Sequence, residues 1–380
     1  MAHADPSTDH SPSASAVSPR GSSPHVSILI PVYNQLALTR QCLEALFTAA
    51  STTTRDVWVV NNGSTDGTRA YLDSMANRVH AIHRPENIGF AAACNQGAQA
   101  AHGRLLVFLN NDTVPHDGWL DALVSEADAM PDIGAVGAKL LYPNGRVQHA
   151  GLAFGPHVFP YHIYRSADPA APFVSRRREL QALTGACLLV PRGLFLELGG
   201  FDTQFVNGLE DVDLCLRLGE RGKRVVYCPQ SVVTHYEGMT AGRRQAATSL
   251  GNLQRFVARW GQRVRCDDIA LCLEDGTDLD EVRREDWARQ LVEQFPEWFT
   301  ARGQPSRPRR SAVERAQVAI SQGPTSAAAW DALGVALRQA GQPAAARIAW
   351  QRALALDPSH HNAQRHLAEG TQETIPAQDR

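Results

Sequence analysis

The sequence predicts an α/β fold, a mostly parallel sheet with helices on both faces, followed by a small all-α helical-repeat segment. Two observations carry the sheet. From Val26 onward short apolar runs alternate with helical stretches, and four successive apolar runs end in polar loops bearing Gly or Asn. That βαβα rhythm is the signature of a parallel sheet covered on both sides. A third observation carries the helical segment: Ala312, Ala319 and Pro324 recur 34 residues later as Ala346, Ala353 and Pro358. Such a period marks stacked helical hairpins.

Taken in order, Val26 to Ile30 reads as the first strand and Leu36 to Ala49 as the first helix. Asp56 to Val60 is the second strand, followed by a helix opening at Ser64-Thr65-Asp66-Gly67-Thr68. Val79 to Ile82 is the third, followed by an Ala-rich helix from Phe90 to Ala101. Arg104 to Leu109 is the fourth, with a helix across Gly118 to Met130. Ligands of such sheets bind at the carboxyl ends of the strands. There stand Pro31-Val32-Tyr33-Asn34, Asn61-Asn62-Gly63-Ser64-Thr65-Asp66-Gly67, Asn87-Ile88-Gly89-Phe90 and Asn110-Asn111-Asp112. Each loop alone is ordinary turn chemistry. Four on one sheet edge make a polar crevice suited to a nucleotide.

A later segment, Asn207 to Arg217, reads as the start of an amphipathic helix with Leu209, Val212, Leu216 and Leu218 toward a core. Glu210 and Asp211 fall in its first turn, where the helix dipole favours negative charge. An acidic pair at a helix start and Asp112 at a strand end are a candidate general base and a candidate metal ligand. They are equally consistent with a helix cap and a turn.

The 380 residues have room for one large domain and a smaller one. A formal charge of -2 argues against nucleic acid as a partner. Seven cysteines lack Cys-x-x-Cys spacing and read as buried thiols of a reducing compartment. No apolar run approaches the roughly 18 residues of a membrane span, and the N-terminus has no apolar signal core. A cytoplasmic protein is expected, at most peripheral to the inner membrane face. The expected division is a Ser/Pro-rich leader over 1–24, an α/β domain over 25–265, a helical and linker segment over 266–310, and helical repeats over 311–370.

Over residues 26 to about 262 the chain resembles family 2 glycosyltransferases, whose fold is the Rossmann-like GT-A fold. The motifs that carry the resemblance are Ile30 to Asn34, Val60 to Thr68, Asn87 to Asn95, Leu109 to Thr113 and Leu183 to Cys187. They continue with Gly199-Gly200-Phe201-Asp202, Glu210 to Arg217, Thr234-His235-Tyr236-Glu237-Gly238 and Trp260-Gly261. The rhamnosyltransferase-like branch that builds bacterial surface polysaccharides is the most similar.

The resemblance implies a nucleotide-diphospho-sugar donor. Pro31, Tyr33, Asn34, Asn61, Asn62 and Asp66 would bind its base and ribose, and Asn87, Gly89, Asn95 and Asn111 its ribose or diphosphate. Asp112 would hold Mg²⁺ or Mn²⁺ against the phosphates, with His235 as a further ligand. Asp211 would be the base of an inverting displacement, Glu210 would orient acceptor or base, and Thr184, Gly185 and Ala186 would wall the acceptor. Two positions depart from the family. Asn110 stands at the first acidic position of the metal motif, and Asn61 where Asp often faces the base. An amide oxygen still accepts from a pyrimidine imide, so UDP and dTDP are favoured over GDP.

The C-terminal repeat resembles the tetratricopeptide hairpin, with Trp330, Leu333, Gly334, Ala346, Trp350, Ala353 and Pro358 in place. It implies a protein partner or self-association. The alternative is a tetratricopeptide scaffold carrying an inactive sugar-nucleotide-binding domain.

Overall fold

The computed structural model describes residues 24–155, 159–236, 245–278, 282 and 312–372. The expected leader and most of the expected 266–310 segment lie outside the described residues. So do Glu237 and Gly238 of the His235 motif.

The first half follows the expected alternation: β1 (Val26–Val32), α1 (Leu36–Thr48), β2 (Arg55–Asn62), α2 (Thr68–Ser74), β3 (His80–Arg84), α3 (Phe90–Ala100) and β4 (Leu105–Leu109). Then come β5 (Thr113–Pro115), α4 (Trp119–Asp128), β6 (Ile133–Leu141), β7 (Val147–His149), β8 (Leu152–Phe154), β9 (Pro160–His162), β10 (Arg178–Glu179) and β11 (Cys187–Pro191). The domain continues with α5 (Arg192–Glu197), α6 (Glu210–Glu220), β12 (Arg224–His235), α7 (Gln245–Trp260) and α8 (Asp268–Asp275).

The main sheet runs β10-β12-β6-β11-β4-β1-β2-β3, with β5 added on β12 and β7 on β6. Strands β3, β2, β1 and β4 are mutually parallel, which is why helices must cross between them. Alternation decides the packing. In β1, Val26, Ile28, Ile30 and Val32 enter one core while Leu29 enters the other, so the strand is apolar on both faces. The third strand lies at His80–Arg84, later than the expected Val79–Ile82. Its register is set by β2, Trp58 opposite His80 and Asn62 opposite Arg84, and its residues are too exposed to show an apolar run.

Strand β11 is antiparallel to both neighbours and sits between β4 and β6. With Cys187 opposite Leu109, it delivers Thr184-Gly185-Ala186 to the carboxyl end of β4. Strand β12 runs parallel to β6 and ends with His235 opposite Thr113, beside Asp112. These two pairings bring together residues far apart in sequence.

Four C-terminal helices follow: α9 (Ala312–Gln322), α10 (Ala327–Gln339), α11 (Pro343–Leu356) and α12 (His361–Gln372). Gly334 of α10 lets the Trp350 ring of α11 lie against the backbone, since a Cβ there would be 2.2 Å from Trp350 Nε1. Helix α11 packs on α8, and Arg352 pairs with Asp278. No helix among the described residues is long and apolar enough to cross a membrane.

Candidate active site

The donor-side loops are stitched to one another before any ligand binds. Asn34 has φ 56°, a left-handed conformation that Asn tolerates. Its N–H donates to Ser64 Oγ and its Oδ1 accepts from the Thr65 N–H, both at 2.8 Å. Asn62 donates to Asn87 Oδ1 at 2.8 Å and accepts from the Ile88 N–H at 2.9 Å, fixing the loop that carries Gly89. Pro31 lies on β1 and Tyr33 is exposed beyond its end, both at the mouth of this crevice.

Asn61 is buried in a relay. Its Oδ1 accepts from the Ser64 N–H at 3.1 Å, so its amide nitrogen must face His83 Nδ1, also at 3.1 Å. His83 then carries its proton on Nε2, 3.0 Å from Asp73. The amide therefore cannot flip, and one oxygen lone pair remains beside the Ser64 bond.

Four expected site residues are engaged with the protein itself. Asn95 gives its amide to the Phe201 backbone, donating at 2.8 Å and accepting at 2.9 Å, so it ties α3 to the Gly200 turn. Asn111 turns inward and donates to Thr39 Oγ1 of α1 at 3.0 Å. Asp66 caps, its Oδ2 accepting from Leu36 N at 2.9 Å and its Oδ1 from Thr68. Ala186 is buried, its carbonyl accepting from Asn110 N at 3.0 Å.

Asp112 and His235 meet at the end of β4, with Asp112 Oδ1 3.1 Å from His235 Nε2. Asn110 Nδ2 is 3.3 Å from the same ring nitrogen. Gln148, which the sequence reading did not single out, fixes the ring. Its Nε2 donates to the His235 carbonyl and its Oε1 accepts from His235 Nδ1 at 2.7 Å. An amide oxygen only accepts, so Nδ1 carries the proton and Nε2 is the nitrogen turned to Asp112. This is the outer-shell support that a metal-binding imidazole needs. Among the described residues no group of three or more His, Cys, Asp or Glu side chains assembles for a metal. The protein offers two donors of the right kind, and a diphosphate would have to supply others.

Asp211 lies in the first turn of α6, beside Gly185 and at the same end of the β4–β11 pair as Asp112. Its Oδ2 accepts from the Gly185 N–H at 2.6 Å and its Oδ1 from the Val212 N–H at 2.8 Å. Gly185 permits this approach, because a Cβ there would stand 3.2 Å from Asp211 Cβ. Burial raises the Asp211 carboxyl above its ordinary range despite these bonds. The side chain faces a cavity of about 280 Å³ that it shares with Thr184, His162, Leu209 and Leu253. Glu210, expected to orient acceptor or base, does not line this cavity. It is buried and accepts from the Gly208 N–H at 2.6 Å. Burial and the neighbouring Asp211 charge push its carboxyl up to about 8.

Behind the pair, Asp213 is fully buried and accepts from Arg217, Arg259 and Trp260 Nε1 at 2.8, 2.7 and 2.9 Å. Arg217 also donates to the carbonyls of Leu198 and Gly200, and Arg259 pairs with Asp202. The Gly199–Asp202, Asp213–Arg217 and Trp260 motifs thus form one clamp that sets the start of α6.

Comparison with known proteins identifies the family and the fold. A family model described as glycosyl transferase family 2 matches residues 27–176, and a tetratricopeptide repeat model matches residues 327–360. The chain is 37% identical over 232 residues to the O-antigen biosynthesis protein RfbC of Myxococcus xanthus, covering 59% of this chain and 18% of that one. It spans less than a fifth of that relative's length. It is 30% identical over 213 residues to an N-acetylglucosaminyl-diphospho-decaprenol L-rhamnosyltransferase of Mycobacterium tuberculosis, covering 50% of this chain and 69% of the relative. Among solved structures, GalNAc-T7 crystallised with UDP, GalNAc and Mn²⁺ shares the fold, with a TM-score of 0.53 at 15% identity, over 73% of this chain and 59% of that one. The fold is GT-A, the C-terminal helices are a tetratricopeptide segment, and the chain belongs to glycosyl transferase family 2.

Proposed function

We propose that this glycosyltransferase moves a sugar, with inversion, from a nucleotide-diphospho-sugar to a saccharide hydroxyl during synthesis of a surface polysaccharide. The carrying observation is one continuous line of contacts. It runs from His235 and Asp112 through Asn110, the Ala186 carbonyl and the Gly185 N–H to Asp211. A metal-type donor pair and a carboxylate facing a cavity therefore stand at the same end of the β4–β11 pair, joined by these contacts.

UDP or dTDP is the donor nucleotide, supported by the locked Asn61 oxygen, which accepts from a pyrimidine imide. Asp112 and His235 would hold Mg²⁺ or Mn²⁺, which would supply charge neutralisation for the departing diphosphate. Asp211 takes the proton of the acceptor hydroxyl as its oxygen attacks the anomeric carbon and the bond to the diphosphate breaks. Glu210 holds the Gly208 turn and so positions Asp211. The mycobacterial relative, named for rhamnosyl transfer to N-acetylglucosaminyl-diphospho-decaprenol, supports a lipid-linked diphospho-saccharide as acceptor. The tetratricopeptide helices offer a surface for a protein partner or a second copy.

Replacing Asp211 by Asn tests the reading. Transfer should fall by roughly two to four orders of magnitude while UDP or dTDP still raises the melting temperature. Lost nucleotide binding in a folded variant would move Asp211 to the donor site, and retained transfer would remove it as the base.

A further inference from the structure

The cavity in front of Asp211 has a second titratable occupant that none of the motifs explains. His162, at the end of β9, lines it, and His162 Nδ1 is 2.9 Å from Nδ1 of His149 on β7. His149 is fully buried beneath, and its Nε2 has no hydrogen-bond partner among the described residues. A contact between two ring nitrogens requires one to donate and the other to accept, so the pair has two possible proton arrangements.

Burial chooses between them. If His149 accepted at Nδ1, its Nε2 would carry a proton with no acceptor in the core. If His149 donates at Nδ1, its Nε2 carries only a lone pair. An orphaned buried N–H is the rarer and costlier of the two. His149 is therefore the donor, His162 accepts at Nδ1, and His162 must carry its own proton on Nε2. With Nδ1 turned to His149, the Nε2 edge is the one left for the cavity. Burial and the nearby Arg165 keep both rings neutral, with His162 pushed down to about 3.

Of the other polar side chains lining the cavity, Asn207 is exposed, and the rest are already occupied. Asn252 holds the backbone of Val206 and Gly208 with both ends of its amide. Thr184 is bonded to Asp211, which itself accepts. Leu152, Pro160 and Leu253 give the remaining wall an apolar surface. A sugar ring presents an apolar face and an edge of oxygens, and this cavity matches both with one fixed donor.

We propose that His162 Nε2–H is the hydrogen-bond donor that grips an oxygen of the acceptor saccharide beside the hydroxyl Asp211 activates, and that His149 sets its tautomer. The inference rests on the acceptor-side reading of the cavity given above.

Long-range ¹H–¹⁵N NMR of the full chain with ¹⁵N-histidine tests it. The expected result is two neutral rings from pH 5.5 to 8, His149 protonated on Nδ1 and His162 on Nε2. The octyl glycosides of glucose, galactose, N-acetylglucosamine and rhamnose are then titrated, and at least one should shift the His162 Nε2 resonance. The reverse tautomers, or a His162 resonance silent toward every glycoside, would overturn the assignment. For a glycoside that shifts it, His162→Phe should raise the acceptor KM about tenfold, the loss of one hydrogen bond, and His162→Gln should recover most of it. An unchanged KM in His162→Phe also overturns the proposal. The titration reads binding and not transfer, so it stands apart from the Asp211→Asn test. Transfer surviving in that variant removes the base assignment, whereas a silent His162 removes this one.

Discussion

Glu210 and Asp211 are adjacent in sequence, yet the fold gives them different surroundings and so different chemistry. Asp211 faces a cavity and Glu210 is enclosed, with a carboxyl raised to about 8 from an ordinary 4.5. An unfolded Glu210 loses its proton near 4.5, whereas the folded one keeps it until about 8. Between those values the native state binds more protons, so stability falls as pH rises through that window. Glu210→Gln should flatten this dependence: the drop in melting temperature from pH 5 to pH 8 should be smaller than in the wild type. An equal drop would mean that Glu210 is ionised in the fold. At the metal end, Gln148 fixes the protonated nitrogen of His235. Gln148→Leu should therefore weaken Mn²⁺ binding in the presence of UDP by about 10–100-fold. Unchanged affinity by calorimetry would sever Gln148 from the metal site.

At the scale of elements, the start of α6 is held by α7. Asp213 is the meeting point of Arg217, Arg259 and Trp260, and removing it leaves those donors facing an empty buried site. Asp213→Ala should cost about 3–5 kcal/mol in urea unfolding and lower transfer as well, because the turn before Asp211 loosens. A cost below 1 kcal/mol would show that the clamp is dispensable. The same clamp shows what the sequence does and does not disclose. Strands β1, β2 and β4 were legible because burial on both faces makes continuous apolar runs. Asp112, Asp211 and His235 stand out in the sequence because they follow such runs or open a helix, whereas the partners of Asn95 and Asn111 do not: an asparagine in a helix or a turn can face either way, and its direction depends on partners a hundred residues off or on another helix. Gln148 and His162 carry no signal, since each sits in a three-residue strand whose neighbours come only with the fold.

At the scale of the molecule, the tetratricopeptide helices pack on the catalytic domain through α8. Helices α9 to α12 fall short of the roughly three repeats that such stacks need to stand alone. Their own core is small, built around Trp330, Trp350, Ala346 and Ala353. The tightest point in it is Gly334, where an added methyl meets the Trp350 ring and no flexible chain end can yield. Gly334→Ala should therefore destabilise the repeats by about 1–3 kcal/mol, the usual cost of overpacking. Calorimetry of the full chain should then show two transitions, an early one for the repeats moved lower by the substitution and a later one unchanged. UDP with Mn²⁺ should raise only the later one, because a ligand stabilises the unit that binds it. A single transition that Gly334→Ala lowers and the nucleotide raises as a whole would mean that the repeats and the catalytic domain fold as one body. The repeats would then be part of the enzyme's own framework and no separate docking platform.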